Sequence, residues 1–340
     1  MDERLKPGVS AVVCCYNSAD VIVPTVRALA GQDVPPGAGY EVLLVDNNCT
    51  DNTVQLAKEA WNNPGYPLRI IKENTPGLIY ARKAGVKSAV YDILLFVDDD
   101  NILAPDWVEK LSRFYWEMPR VGALGGHNEA LLPGEKPGWF DRFQNVYACG
   151  PRDIGAGLDP RKKFGAGLSF RTGVLRSILF SGPPLFLVGR TKNALIRGED
   201  TEMSLRCVLT GWDFYYDPSL KLQHNLLPQR VNWDYVCRAR KGGGVSSIIL
   251  KIYSDLVENK EPGDFRDVVR FVLRKWKEYI LQYKGRAFFI NKEGSDTSFW
   301  FYRLLGMSRG LVMYRKTYGH IRRQIVDHFK TGRKPPDADG

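Results

Sequence analysis

The chain runs to 340 residues against roughly 150 for an average domain, so one large or two modest domains with a substantial core are expected. Its 44% hydrophobic and 25% charged residues are those of an ordinary folded protein and exclude a disordered chain or a disulfide-stapled miniprotein. Lys and Arg number 48 against 38 Asp and Glu, and the resulting +10 admits nucleic acid, an anionic membrane or a phosphorylated substrate as partner.

From Ser10 to Cys15 a short β-branched apolar run, closed by Asn17-Ser18-Ala19-Asp20, predicts a buried strand. Val21 to Leu29 has helical spacing until Gly31 and Pro35-Pro36 stop it, and Glu41 to Asp46 is a second apolar strand. Asp51 can cap a helix reaching Trp61, Leu68 to Lys72 reads as a third strand, and Tyr80 to Val90 as the next helix. Ile93 to Val97 then enters a run of three carboxylates, Asp98-Asp99-Asp100. Strands alternating with helices imply βαβ units and a parallel sheet with helices on both faces. Ligands bind beyond the carboxyl ends of such strands, where Tyr16-Asn17, Asp46-Asn47-Asn48 and the three aspartates would share one rim.

A further helix follows Pro105-Asp106 to Trp116, and beyond Gly125-Gly126 the pattern weakens into a loop-rich stretch as far as Lys163. Phe164 to Phe170 suggests a strand whose glycines admit a ligand or another backbone. Gly198-Glu199-Asp200 opens a helix that Gly211 ends, and residues 213–224 return as a strand containing Pro218 and finishing at His224. Val245 to Val257, Phe265 to Tyr283 and Ser298 to Tyr314 read as amphipathic helices, before a polar, frayed end at Pro335 to Gly340. Charge divides along the same line: residues 1–224 sum to −1 and residues 225–340 to +11, which sets a boundary near residues 225–245.

Six cysteines without a C-x-x-C pair or a His at zinc-finger spacing read as reduced, mostly buried thiols. With no charged-then-apolar leader and no apolar run near ~20 residues, a cytoplasmic location is expected.

Three adjacent aspartates at a strand end repel one another unless a divalent cation relieves them. In an extended segment Asp98 and Asp100 point the same way and can share an oxygen-ligated metal while Asp99 turns elsewhere; the plain alternative is a solvated acidic loop. Taken singly, the other polar residues have ordinary readings. Asp46 starts a turn, Arg82 beside Lys83 is a surface charge, Glu199-Asp200 is an acidic helix start, and His224 is a hydrogen-bonded histidine.

Together, however, these segments resemble the family 2 glycosyltransferases. The resemblance spans about residues 8–245 and rests on Val-Val-Cys-Cys-Tyr-Asn at 12–17, Val-Asp-Asn-Asn-Cys-Thr-Asp-Asn-Thr at 45–53, Gly77 with Ala81-Arg82, Phe-Val-Asp-Asp-Asp at 96–100, Gly198-Glu199-Asp200, and Pro218 through His224. It implies an α/β fold of GT-A type: a Rossmann-like, mostly parallel sheet with helices on both faces. Residues 1–240 would form the catalytic domain, with a donor-binding half over about 8–105 and an acceptor-side half over about 106–240, and residues 241–340 a basic amphipathic helical extension.

The same resemblance implies donor contacts from Tyr16, Asn17, Asp46, Arg82, Asp98 and Asp99, with Tyr16 against uracil, Asp46 accepting its N–H and Arg82 reaching the base. Asp100, Asp98 and His224 would meet Mn2+ or Mg2+, and Asp200, beside Glu199, matches the general base. The expected reaction is inverting transfer of a single sugar from a nucleotide-diphosphate donor, UDP-sugar favoured, to a hydroxyl of a glycan or lipid-linked acceptor in bacterial-type polysaccharide or glycoconjugate synthesis. Two departures stand out. Cys14-Cys15 replaces the Pro-Thr of many members, and Cys237-Arg238-Ala239-Arg240-Lys241 lacks the Gln and Trp of the processive Gln-x-x-Arg-Trp motif. A processive synthase is therefore not expected, and Arg238 and Arg240 are placed near the pyrophosphate or an anionic acceptor.

In the extension, Val268, Val269, Phe271, Val272, Trp276, Ile280 and Leu281 alternate with Arg266, Arg270, Arg274, Lys275 and Lys277. This composition suits either helices packed on the catalytic domain or peripheral contact with an anionic membrane on the cytoplasmic face. No nucleic-acid-binding signature accompanies the charge. The rival functions are a haloacid-dehalogenase-like phosphatase, which also ends a strand in Asp-x-Asp, and a non-catalytic sugar-nucleotide-binding scaffold.

Overall fold

The first four strands, β1 (Lys6–Cys15), β2 (Gly39–Asp46), β3 (Leu68–Lys72) and β4 (Tyr91–Asp98), are all parallel and lie in the order β3-β2-β1-β4. Helices α1 (Ile22–Ala30), α2 (Thr53–Ala60) and α3 (Leu78–Ser88) connect them. The computed structural model describes residues 5–150, 156–158, 166–187, 190–191, 194–195, 197–284 and 292–331. Side chains alternate along each strand, so the sheet buries both faces. Val42 and Leu44 join Ala11 and Val13 in one core, while Leu43 and Val45 join Val12 and Phe96 in the other.

After β5 (Asn101–Leu103) and α4 (Trp107–Glu117) comes β6 (Val121–Leu131), whose second half, beyond Gly125-Gly126, lies where a loop-rich stretch is expected. The reason is packing. A Cβ on Gly126 would stand 2.5 Å from the Trp107 ring, so a glycine that resembles a loop residue lets the edge of a buried tryptophan meet the strand. The short α5 (Phe140–Phe143) and β7 (Gly157–Leu158) precede β8 (Ser169–Arg171) and α6 (Thr172–Phe180). The strand expected from Phe164 begins instead at Ser169; Phe164 and Gly165 lie outside the described residues. A small hairpin of β9 (Arg190–Thr191) and β10 (Ala194–Leu195) leads to α7 (Glu199–Leu209) and the long β11 (Asp213–Asn225). The main sheet continues from β4 as β8-β6-β11-β5. β8 is antiparallel to β4 and β6, and β5 antiparallel to β11, so this half is mixed rather than parallel.

Four helices complete the chain: α8 (Trp233–Val257), α9 (Phe265–Tyr283), α10 (Asp296–Tyr314) and α11 (Tyr318–Thr331). A division at residue 240 falls inside α8, which runs unbroken through Gly242-Gly243-Gly244. Those glycines look like a linker in sequence, yet Gly244 meets α10 backbone to backbone. A Cβ there would stand 2.1 Å from the Arg303 carbonyl oxygen, and one on Gly306 would stand 2.0 Å from that of Lys241. Leu205 and Leu209 of α7 enter the core of these helices, with Ile249, Ile252, Met307 and Ile325. Buried Arg206 adds a polar tie, reaching Glu202 at 2.8 Å and the Tyr253 hydroxyl at 2.9 Å. Among the described residues no helix is long and apolar enough to cross a membrane. Pro335 to Gly340 lie outside them.

Candidate functional site

Strand register builds the site. Cys15 of β1 pairs with Asp46 of β2, and Cys14 with Asp98 of β4, which levels the carboxyl ends of three neighbouring strands. The chain leaves β1 through Tyr16, 54% exposed, and Asn17, which adopts φ 52°. Asn17 Oδ1 accepts from Thr50 N at 2.7 Å and Asp46 Oδ1 from Cys49 N at 2.8 Å. The two loops are thereby tied together while the Tyr16 ring stays on the surface. Burial pushes the neighbouring Cys14 thiol up to about 12, against the pull of Arg82.

The alternation expected to pair Asp98 with Asp100 stops at Asp98, where β4 ends and the chain turns. Asp99 faces inward, accepting from the Ser18 hydroxyl, and its backbone carbonyl accepts from Thr25 at 2.9 Å. Burial first, and Asp100 second, raise its carboxyl to about 7. It buttresses the turn.

Asp100 is brought to His224 by the pairing of β5 with β11, in which Asn101 opposes His224. Only 3% exposed, Asp100 places Oδ2 at 3.3 Å from His224 Nε2 and 2.8 Å from Arg230 Nη1. His224 Nδ1 donates to the Tyr147 carbonyl at 2.8 Å, which fixes the ring and leaves Nε2 turned to Asp100. Burial opposes a charged imidazole, but the Asp100 carboxylate outweighs it and holds His224 well above its usual range. The Asp100 carboxylate is a ligand type suited to Mn2+ or Mg2+, and the anchored imidazole could join it only once Nε2 gives up its proton. Among the described residues no three His, Cys, Asp or Glu side chains converge as a metal cage. Arg230 carried no motif in the sequence; its only mark there is a basic residue closely following His224 on a short turn.

Arg82, expected to reach a base, is 4% exposed and lies beneath the rim. Its Nη1 is 3.5 Å from Glu199 Oε1, and its guanidinium covers the Phe96 ring at 5.1 Å. Burial disfavours its charge, yet Glu199 and then Asp98 more than offset this and raise it. Burial likewise raises Glu199, with Arg82 opposing. Glu199 is thus engaged inward, and its neighbour Asp200 is the more accessible carboxylate, its Oδ1 accepting from Thr201 N at 2.7 Å. The two arginines expected near phosphate part company. Arg238 is exposed and paired with Asp234 at 2.8 Å, whereas Arg240 lies under the Phe299 ring at 3.9 Å.

Residues 10–152 match the profile of the family described as Glycosyl transferase family 2. The chain is 24% identical over 233 residues to a glucosyl-dolichyl phosphate glucuronosyltransferase of Haloferax volcanii, covering 67% of this chain and 72% of that protein. It is 22% identical over 257 residues to a poly-beta-1,6-N-acetyl-D-glucosamine synthase of Staphylococcus aureus, covering 74% of this chain but only 58% of that longer protein. Among solved structures, S. aureus TarS 1-349 in complex with UDP-GlcNAc superposes with a TM-score of 0.53 at 17% identity, over 96% of this chain and 90% of that one. The complex of the same protein with UDP gives a TM-score of 0.50 at 16% identity, over 96% and 90%. These likenesses show the fold, an α/β sheet of GT-A type followed by helices.

Proposed function

We propose, from the match of residues 10–152 to the glycosyl transferase family 2 profile, that the chain is a member of that family and transfers a single sugar, with inversion, from a nucleotide-diphosphate donor to a hydroxyl of a glycan or lipid-linked acceptor. The observation that carries the reading is the meeting of carboxylates from distant segments: Glu199, Asp98 and Asp200 all act on buried Arg82, which sets the start of α7 beside the end of β4. Uridine is favoured as the base, supported by the UDP and UDP-GlcNAc carried by TarS. A lipid-linked acceptor is in keeping with the dolichyl phosphate in the name of the Haloferax relative.

In this mechanism the exposed Tyr16 ring packs on the base and Asp46 accepts its N–H. Asp100 and His224, assisted by Asp98, would hold Mn2+ or Mg2+, whose charge stabilises a departing diphosphate. Asp200 removes the proton of the acceptor hydroxyl as its oxygen bonds to the anomeric carbon. The anomeric C–O bond to the diphosphate breaks on the opposite side, so configuration inverts and no covalent enzyme intermediate forms. Glu199, fixed by Arg82, orients the first turn of α7 and hence Asp200. Peripheral contact with an anionic membrane is proposed for α9, where Leu273, Ile280 and Leu281 are exposed among the exposed Arg270, Arg274 and Lys277.

The deciding experiment is a panel of nucleotide sugars with Mn2+ or Mg2+, read by thermal shift and by slow donor hydrolysis. A UDP-sugar is expected to raise the melting temperature when metal is present; if no nucleotide sugar does so, the reading fails. Turnover of a generic phosphomonoester is expected to be absent, which separates this function from a phosphatase.

A further inference from the structure

Buried guanidinium groups elsewhere in the fold are answered by carboxylates, Arg206 by Glu202 at 2.8 Å and Arg82 by Glu199 at 3.5 Å, as is the half-buried Arg230 by Asp100 at 2.8 Å. In a second group, among the described residues, Arg240 and Arg303 are not, while Arg197 lies near enough to Glu199 to pull its carboxyl down. Arg240 of α8 is sandwiched against Phe299 and Trp300 of α10, at 3.9 and 5.1 Å, and its Nε is buried without a hydrogen-bond partner. Arg303 stands one turn beyond those aromatics on the same helix, at the crossing where its carbonyl faces Gly244 of α8. Arg197 is drawn to the same place by two bonds: its carbonyl accepts from the Ser246 hydroxyl of α8, and its Nη1 donates to the Val146 carbonyl at 2.6 Å. Val146, Ala239 and Phe299 share one apolar cluster, and Arg240 lies close enough to both Arg303 and Arg197 to feel their charge.

Among the described residues, no carboxylate forms an ion pair with Arg240 or Arg303. Burial, and then repulsion from Arg303 and Arg197, lower Arg240 to about 9, and burial lowers Arg303 as well. Like charges held close without an anion cost stability, so such a cluster calls for a ligand. Several planar guanidinium forks suit a multi-oxygen dianion better than a single carboxylate, and stacking of Arg240 on aromatic rings leaves its edge free to donate. The cluster also has a definite place: Arg197 immediately precedes the Gly198-Glu199-Asp200 segment, whereas the metal pair Asp100 and His224 is held by Arg230 and β11.

We propose that Arg197, Arg240 and Arg303 form a subsite for a phosphate group carried by the acceptor, placing the acceptor hydroxyl at Asp200. The inference rests on the transfer reaction proposed above and adds to it the chemical class of the acceptor, a phosphate ester or phosphodiester. The alternative source of the same chemistry is the diphosphate of the donor.

Binding of inorganic phosphate, and separately of UDP with Mn2+, is to be measured on the full chain and on its Arg240→Met, Arg303→Met and Arg303→Lys variants, with ionic strength held constant by chloride. Phosphate affinity is expected to fall about tenfold or more in the Met variants and less in Arg303→Lys, with UDP affinity unchanged. In phosphate-free buffer the Met variants should melt no lower than the parent, because each removes an unneutralised cation; a purely structural arginine would lower it. Equal phosphate affinity in all four proteins overturns the subsite, as does a parent whose melting temperature phosphate does not raise, a result that needs no variant. A parallel loss of UDP affinity assigns the cluster to the donor and overturns the acceptor assignment. Absence of nucleotide-sugar binding to the parent is a separate result and bears on the transfer reaction alone.

Discussion

Arg82 and Glu199 stand 117 positions apart in the chain and meet at 3.5 Å in the interior, between the end of β4 and the start of α7. Both are almost inaccessible, so removing one leaves the other as an uncompensated buried charge. Arg82→Met is therefore expected to lower unfolding stability by roughly 3 kcal/mol in urea titration. Arg82→Met combined with Glu199→Met should recover much of that loss. Additive single effects would show that the two side chains do not act as a pair.

Asp200 is the accessible member of its acidic pair, and removing its basicity leaves the strand-end loops untouched. Asp200→Asn is expected to reduce transfer about 10²–10⁴-fold while UDP affinity stays within experimental error. Unaltered turnover would exclude Asp200 as the base.

Burial of the thiols has a chemical readout. Burial pushes Cys14 and Cys237 up to about 12, and carries Cys15 and Cys207 still higher. A raised thiol pKa means less thiolate at a given pH, so at pH 8 roughly one Cys14 side chain in ten thousand is reactive. Iodoacetamide at pH 8 should leave these four unmodified in the folded protein and alkylate them in guanidinium, as peptide mass spectrometry would record.

Sequence patterning located the four parallel strands and their polar ends, because apolar β-branched runs between turn residues have one physical outcome in an α/β fold. It failed where glycine serves contact instead of a turn. Gly126 in β6 and Gly244 in α8 both look like interruptions, and only the facing partner, Trp107 in one case and α10 in the other, explains them. The site shows the same limit. Asp98, Asp100 and His224 stand at strand ends that the pattern reveals, but the inward turn of Asp99 and the arrival of Arg230 depend on tertiary contacts with Ser18 and Asp100.

The glycine explanation can be tested within one helix. Gly244→Ala would drive a Cβ into the Arg303 carbonyl and should cost roughly 1–3 kcal/mol, whereas a Cβ at Gly243 meets nothing within 4 Å. Gly243→Ala should instead stabilise the protein by ~0.5–1 kcal/mol through helix propensity. Equal effects at the two positions would mean that the helix crossing is looser than described.

The exposed side chains of α9 allow a direct measurement of membrane contact. Leu273→Glu with Ile280→Glu and Leu281→Glu should weaken co-sedimentation with phosphatidylglycerol vesicles by about tenfold or more while leaving the melting temperature nearly unchanged. If the parent does not sediment with anionic vesicles at low salt, α9 has another role.

Where α8 and α10 touch backbone to backbone, the last third of the chain ceases to be an appendage. The rings that cover Arg240 belong to α10, so lifting that helix by one side-chain layer would strip Arg240 of its platform and carry Arg303 away with it. A fragment ending near residue 240 would cut α8 short and leave Leu205 and Leu209 of α7 without the helices they pack against, so the helix whose first turn holds Asp200 would lose its support.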